Sequence, residues 1–206
     1  MADYYYPSDD EIRARIRKRR KHNRIIRYFL IVLIVILAFI SSTALGKYIG
    51  NKKYDKEIAT VEVIHRDVPI VNMAYKQIGN HGGAPYWSWY GFGGRVAWCA
   101  CFVSWCEDQL GYLSNNMGPK FAVTTDGINW FKARDQWHDG SETPEAGDLV
   151  FFDWEQNGWD DHVGIVAGTS DDRIYTIEGN STDMCRIKSY EIGDKVLVGY
   201  GRIKTN

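Results

Sequence analysis

The chain has 206 residues, of which 45% are hydrophobic and 25% charged, and its formal net charge at pH 7 is −1. This near-neutral total hides two parts of opposite sign. Residues 1–27 hold nine Lys or Arg against four acidic residues, whereas residues 28–206 hold sixteen basic and twenty-two acidic side chains. Residues 28–206 are net acidic, which excludes a nucleic-acid-binding surface on this part of the chain. The basic arm, residues 1–27, is explained by membrane topology and by attraction to anionic lipid headgroups.

The first 67 residues are predicted to form an arm, a membrane span and a stalk. Tyr28–Gly46 contains no charged residue and, at about 1.5 Å per residue, is long enough to cross the hydrocarbon core as a helix. The positive-inside rule places the basic arm, residues 1–27, in the cytoplasm and the rest of the chain outside the cell. A cleaved signal peptide is the alternative, since Ser42-Thr43-Ala44 offers small residues for cleavage. We predict an uncleaved single-pass anchor in the cell membrane, followed by a polar stalk over residues 47–67.

Residues 68–206 have the size of one ordinary domain, without internal repeats. A helix is predicted over Val68–Gly79, and the glycine- and aromatic-rich segment His81–Gly94 is predicted to be a loop. Aromatic rings with polar edges suit sugar rings and peptide stems. We therefore predict that Tyr90 and Trp98, which lie before and beside the next helix, bind substrate.

A cysteine begins the next predicted helix, directly after the glycine-rich segment. Apolar residues recur at helical spacing from Cys99, so one face of the helix is buried; they are Phe102, Val103, Cys106 and Leu110. Unpaired N–H groups and the helix dipole stabilise a thiolate at this end and lower its pKa from the free value of about 8.5. Cys99 is therefore the candidate nucleophile, and its backbone N–H is a candidate oxyanion donor.

Downstream, Gly127–Ala133 predicts a helix, and four β-branched or alternating segments predict an antiparallel sheet: 147–154, 163–167, 174–178 and 196–203. His162 stands at the start of the second of these strands and is the candidate general base. Glu178 and Asn180 close the third strand, where alternation places both on the same side. Either side chain can orient the imidazole.

Four cysteines in an extracellular domain raise the question of disulfides. A bridge between Cys106 and Cys185 is possible, but spacing alone does not assign it, and we predict no obligatory disulfide. The acidic segment Asp153–Gly158 resembles the front half of a calcium loop, yet its twelfth position falls on Gly164, where a bidentate acid belongs. We therefore predict no metal and no cofactor.

Four blocks of the sequence, in this order, resemble the CHAP family of cysteine, histidine-dependent amidohydrolases/peptidases, within the wider NlpC/P60 group. The blocks are Trp98–Trp105, Pro144–Phe152, Asp161–Val166 and Ile177–Asn180. The resemblance implies a papain-like α+β domain, with helices packed on an antiparallel sheet, that cuts amide bonds in bacterial peptidoglycan. By position it makes Cys99 the nucleophile and His162 the base, with Glu178 and Asn180 as the polar pair that orients the histidine.

The sequence therefore predicts a membrane-anchored peptidoglycan hydrolase with its catalytic domain outside the cell. The first interpretation is an N-acetylmuramoyl-L-alanine amidase. An endopeptidase that cuts the stem or cross-bridge is the second. Two other classes stay open: a domain that binds the cell wall or a protein partner without cutting, and a peptidase that processes a protein or peptide.

Overall fold

The computed structural model describes residues 63–170 and 172–204 of the chain. The predicted arm, the predicted span Tyr28–Gly46 and the predicted stalk as far as residue 62 lie outside these residues. Within the described ranges, no helix is long and apolar enough to cross a membrane.

The described residues form four helices and one six-stranded sheet. The helices are α1 (Pro69–Tyr75), α2 (Ala84–Tyr90), α3 (Cys99–Gln109) and α4 (Thr124–Lys132). The strands are β1 (Trp137–Asp139), β2 (Leu149–Phe152), β3 (His162–Ser170), β4 (Arg173–Glu178), β5 (Arg186–Glu191) and β6 (Leu197–Gly201). Their order in the sheet is β1-β6-β2-β3-β4-β5, and all neighbouring strands are antiparallel. The predicted α+β class is therefore confirmed.

Strand β2 is buried on both faces, which explains why its sequence is apolar at every position. Leu149 and Phe151 belong to the larger core cluster, which includes the buried faces of α1 and α3. Val150 and Phe152 alternate with them and belong to a smaller cluster on the other face of the strand. Because α1 and α3 both pack against β3, the start of α3 is anchored to the strand that begins at His162.

The structure differs from the sequence prediction at several elements. The segment predicted as a loop, His81–Gly94, contains helix α2, which begins after Gly83 in the left-handed conformation. Strands β1 and β5 were not predicted. The predicted stalk also ends earlier, because Ile64 is buried in the core and the His65 N–H donates to the Ala167 carbonyl oxygen at 2.9 Å.

Helix α3 also carries a buried carboxyl group, that of Glu107. Glu107 is fully buried, and neither of its carboxyl oxygens has a hydrogen-bond partner among the described residues. The group lies against Gly118, where an added Cβ would come within 2.1 Å of Oε1. Burial raises its pKa well above the usual value. The charged form of Glu107 therefore destabilises the folded domain.

Replacing Glu107 by methionine is expected to stabilise the domain by about 1–3 kcal/mol near pH 7, because the variant buries no unpaired polar group. A raised folded-state pKa means that wild-type stability is greatest below the unfolded pKa of about 4.3 and falls as pH rises above it. Urea unfolding of the two proteins at acidic and neutral pH measures the difference, which should widen with pH. A difference of zero at both values would contradict the prediction, and Asp108→Asn on the same helix is the control.

Candidate active site

The start of α3 and the start of β3 bring a thiol and an imidazole together. Cys99 is 6% exposed and His162 is 2% exposed. The imidazole of His162 and the backbone N–H groups of Ala100 and Val163 lie close enough to the sulfur to lower the pKa of Cys99. Trp98, the N-cap residue, makes no side-chain capping bond. The first turn of the helix therefore keeps its N–H groups available for a negative charge at the sulfur.

A buried carboxylate lies on the other side of the imidazole. The Nε2–H of His162 donates to Oε2 of Glu178 at 3.1 Å, which leaves Nδ1 for Cys99. Oε1 of Glu178 accepts hydrogen bonds from the hydroxyl groups of Thr176, at 2.6 Å, and Tyr190, at 2.9 Å. Glu178 is fully buried. Both of its oxygens are satisfied, so its orientation toward His162 is fixed by three donors.

The position of Glu178 requires a glycine on the neighbouring strand. Gly164 follows His162 by two residues and lies on the same face of β3. A Cβ at Gly164 would come within 2.8 Å of Glu178 Cγ and 3.3 Å of the Ile177 carbonyl oxygen. The absence of a side chain at Gly164 therefore makes room for the carboxylate beside the imidazole.

The electrostatics of these three groups favour an ion pair. Burial alone would raise the pKa of Cys99, but the hydrogen bond and the charge of His162 lower it below the usual value. Burial alone would lower the pKa of His162, but its bonds to Cys99 and Glu178 and their charges raise it. The pKa of Glu178 is lowered, because hydrogen bonds and the imidazolium charge outweigh its burial. All three shifts thus favour the charged forms, which are thiolate, imidazolium and carboxylate, over the neutral ones.

An aromatic ring covers the imidazole on its open side. Trp154, in the loop between β2 and β3, stacks on His162 with ring centroids 4.0 Å apart and an interplanar angle of 23°. The ring of Phe152 also contacts the imidazole, with 5.7 Å between the ring centroids. The side chain of Tyr190, which donates to Glu178, also lies near the indole.

The structure brings three of the four predicted catalytic residues together, and a site role for the fourth, Asn180, stays a prediction. Asn180 lies beyond the end of β4 in a left-handed turn, with φ 60°, so strand alternation does not extend to it. Among the described hydrogen bonds, His162 has Glu178 and not Asn180 as its partner. Glu178 is therefore the group that orients the imidazole in this structure.

The two predicted substrate-binding residues have different surroundings. Trp98 is fully buried, stacks on Tyr86 at 5.4 Å and donates from Nε1 to Asp183 at 3.3 Å. It is a core residue, which corrects the prediction. Tyr90 is half-buried and stacks on Phe92 at 5.3 Å, with the Lys120 ammonium group 5.0 Å from the Tyr90 ring centroid. A role for Tyr90 in substrate binding stays a prediction.

The three cysteines of α3 differ chemically. All four cysteines of the chain are free and buried. Burial raises the pKa of Cys101 to about 11 and that of Cys106 well above its usual value. Of the three thiols on α3, Cys99 alone combines a lowered pKa with an imidazole beside it. The local environment therefore selects Cys99 as the nucleophile of this helix.

The carboxylates of the acidic loop before β3 accept hydrogen bonds from the backbone of the same loop. Asp153 accepts the backbone N–H groups of Asn157, at 3.1 Å, and Gly158, at 2.8 Å. Asp161 accepts those of Trp154, at 3.0 Å, and Glu155, at 3.3 Å. In the described part of the chain, no group of three His, Cys, Asp or Glu side chains is arranged to hold a metal ion.

Sequence reasoning missed three residues around the imidazole and its carboxylate: Trp154, Thr176 and Tyr190. Thr176 precedes Glu178 by two residues, so strand alternation was a sufficient signal for it. Tyr190 reaches Glu178 from β5, a strand that was not predicted. Trp154 lies in an irregular loop, where no periodic pattern marks a contact.

This fold and this site define a cysteine-dependent amidohydrolase or peptidase, with a histidine base and a carboxylate that orients it. Residues 89–180 of the chain match the family model of the CHAP domain. The match covers Cys99, His162 and Glu178, so the part of the chain that holds the site is similar to the CHAP domain. No curated protein matches this chain.

Two solved structures are similar to parts of the chain. One is an NLP/P60-family protein, similar to a lipoprotein, from Staphylococcus aureus subsp. aureus Mu50: identity is 23%, TM-score 0.40, and the match covers 67% of this chain and 41% of that one. The other is Ly7917, with 19% identity and a TM-score of 0.42, over 64% of this chain and 59% of that one. The chain thus spans less than two-thirds of the length of either protein.

Proposed function

We propose that this chain hydrolyses amide bonds of peptidoglycan, as an N-acetylmuramoyl-L-alanine amidase held at the outer side of the cell membrane by an N-terminal span. The observation that carries the proposal is the buried array of Cys99, His162 and Glu178 inside the part of the chain that is similar to the CHAP domain. The uncharged segment Tyr28–Gly46 and the basic arm before it support the anchor.

In the proposed reaction the Cys99 thiolate attacks the carbonyl carbon of the scissile amide and forms a tetrahedral intermediate. The backbone N–H of Cys99 at the start of α3 is the proposed donor to the developing oxyanion. The His162 imidazolium gives its proton to the leaving amine, and an acyl-enzyme remains. His162 then takes a proton from water, which attacks the thioester and releases the acid and the free thiol. Glu178 keeps the imidazole oriented and stabilises its charged form throughout.

Purified sacculi incubated with the full-length chain test this proposal. An active enzyme should clear the suspension, and a sample alkylated with iodoacetamide should not, because the alkylated thiol cannot attack. Mass spectrometry of the released fragments identifies the bond. Free lactyl groups on muramic acid together with new L-alanine amino termini would establish the amidase.

The other outcomes separate the remaining functions. Fragments cut within the stem or cross-bridge would replace the amidase by an endopeptidase. A protein that sediments with the walls but never clears them, under reducing conditions, would show a binding domain and overturn the hydrolase. A protein that neither binds nor clears the walls would direct the search to peptide or protein substrates.

The pH dependence of the reaction follows from the two shifted groups. The reactive thiolate forms as pH rises through the lowered pKa of Cys99, and the imidazolium is lost as pH rises through the raised pKa of His162, at about 9. The rate of hydrolysis should therefore be high across neutral pH and fall on both sides. Measuring kcat/KM from about pH 5 to about pH 10 checks this. If kcat/KM instead rose in a single step near the free thiol pKa of about 8.5, the ion pair would be contradicted.

A further inference from the structure

The backbone of the loop that carries Trp154 is held by hydrogen bonds that do not involve the indole. The carboxylate of Asp161 accepts the Trp154 and Glu155 N–H groups, and that of Asp153 accepts the Asn157 and Gly158 N–H groups. These bonds fix the backbone of the loop. The side chain of Trp154 is 39% exposed, so it is not held there by the need to fill the core.

The indole instead contacts the catalytic array directly. One face stacks on His162, with 4.0 Å between the ring centroids and an interplanar angle of 23°. The indole also lies near Tyr190, whose hydroxyl donates to Glu178 at 2.9 Å. Trp154 therefore touches the imidazole and lies beside a residue that holds its carboxylate.

We propose that Trp154 is a positioning residue of this site: its indole covers the solvent side of His162 and holds the imidazole with one nitrogen toward Cys99 and the other toward Glu178. This inference rests on the proposed cysteine–histidine chemistry. A stacked aromatic face favours the cationic imidazolium. By excluding water it also preserves the attraction of the imidazolium for the two anions beside it.

The pKa of the Cys99 thiol shows in which direction the loss of the Trp154 indole acts. The titratable groups that face His162 are Cys99 from α3 and Glu178 from β4, and Tyr190 from β5 reaches it through Glu178. Arg186 is the register partner of Glu178 on β5. Burial penalises the Cys99 thiolate, and the imidazolium offsets that penalty. No described contact joins Trp154 to Cys99. Removing the indole therefore weakens the stabilisation of the thiolate by the imidazolium but leaves the cost of burying the thiolate unchanged, and the pKa of Cys99 rises.

The test is the pH dependence of Cys99 alkylation in the full-length chain, compared between wild type, Trp154→Leu and Trp154→Phe. Iodoacetamide is the probe, and tandem mass spectrometry separates Cys99 from Cys101 and Cys106. Leucine keeps an apolar side chain but has no aromatic face, whereas phenylalanine keeps the face. The matched control is Trp159→Leu, because Trp159 lies in the same loop and is 75% exposed.

We expect Trp154→Leu to move the alkylation limb to higher pH by roughly 0.5–1 unit, and Trp154→Phe to restore most of that shift. Trp159→Leu should leave the limb unchanged. A Trp154→Leu limb that coincides with the control would overturn the proposal. Thermal melts accompany each variant. If Trp154→Leu does not fold, Trp154→Met, which is also apolar and without an aromatic face, must shift the limb in the same direction or the proposal fails.

Alkylation needs no substrate, so this result is independent of the proposed function. A shifted limb in a protein that does not clear sacculi would retain the role of Trp154 and reject the peptidoglycan substrate. Cleared sacculi with an unshifted limb would retain the hydrolase and reject the role of Trp154.

Discussion

Replacing Cys99 by alanine is expected to abolish the clearing of cell walls, with kcat lower by about five to six orders of magnitude, the scale at which loss of a nucleophile acts in covalent catalysis. The physical reason is that no other thiol takes its place. Cys101 lies two residues further along α3, but it is fully buried and its pKa is raised to about 11. Turbidity of sacculi and the yield of new amino termini measure the loss.

The matched control for this prediction is Cys106→Ala, the same chemical change on the same helix at a fully buried position. It should retain activity at a small cost in stability. Sedimentation with the walls should be the same for both variants, since neither change removes a surface side chain. Clearing by Cys99→Ala at the rate of Cys106→Ala would reject the thiol mechanism.

Glu178→Gln is expected to lower kcat by about two to four orders of magnitude, as loss of the orienting carboxylate does in related triads. Three donors converge on the two oxygens of Glu178, from His162, Thr176 and Tyr190. Glutamine places an NH₂ group where one carboxylate oxygen stood. Toward His162 this group would face another donor, and toward Thr176 and Tyr190 it would require both hydroxyls to accept instead of donate. The lost charge also removes a cause of the raised His162 pKa.

The pH profile and a control variant distinguish this effect from general damage. The alkaline limb of the activity profile should move to lower pH, because the imidazolium loses its proton more easily without the carboxylate. Glu191→Gln is the control, since this exposed carboxylate lies on β5, beside β4. An unchanged limb in Glu178→Gln, even with a lower rate, would contradict the orienting role.

Much of the site could be predicted because its residues stand at the ends of regular elements. Cys99 begins a helix whose apolar periodicity is visible in the sequence, and the helix is confirmed as Cys99–Gln109. His162 begins a β-branched strand, and Glu178 ends the next one. At such positions a local pattern fixes both the element and the place of the side chain in it.

The predictions failed where a contact depends on tertiary structure. Alternation placed Asn180 beside Glu178, but the chain leaves the strand before it in a left-handed turn. Trp98 lies next to the nucleophile in sequence, yet it packs on Tyr86 in the core, which sequence neighbourhood does not reveal. Strand β5 was missed because its polar residues give no clear alternation. Trp154 contacts His162 from an irregular loop.

The hairpin of β3 and β4 makes activity conditional on complete folding. His162 and Glu178 are sixteen residues apart on this hairpin, so their contact is local in sequence. Cys99 precedes His162 by sixty-three residues and meets it only where α3 packs against β3. The base and its carboxylate therefore come from one hairpin, whereas the nucleophile joins them through tertiary packing. The catalytic array is complete only when α3 and the hairpin are docked.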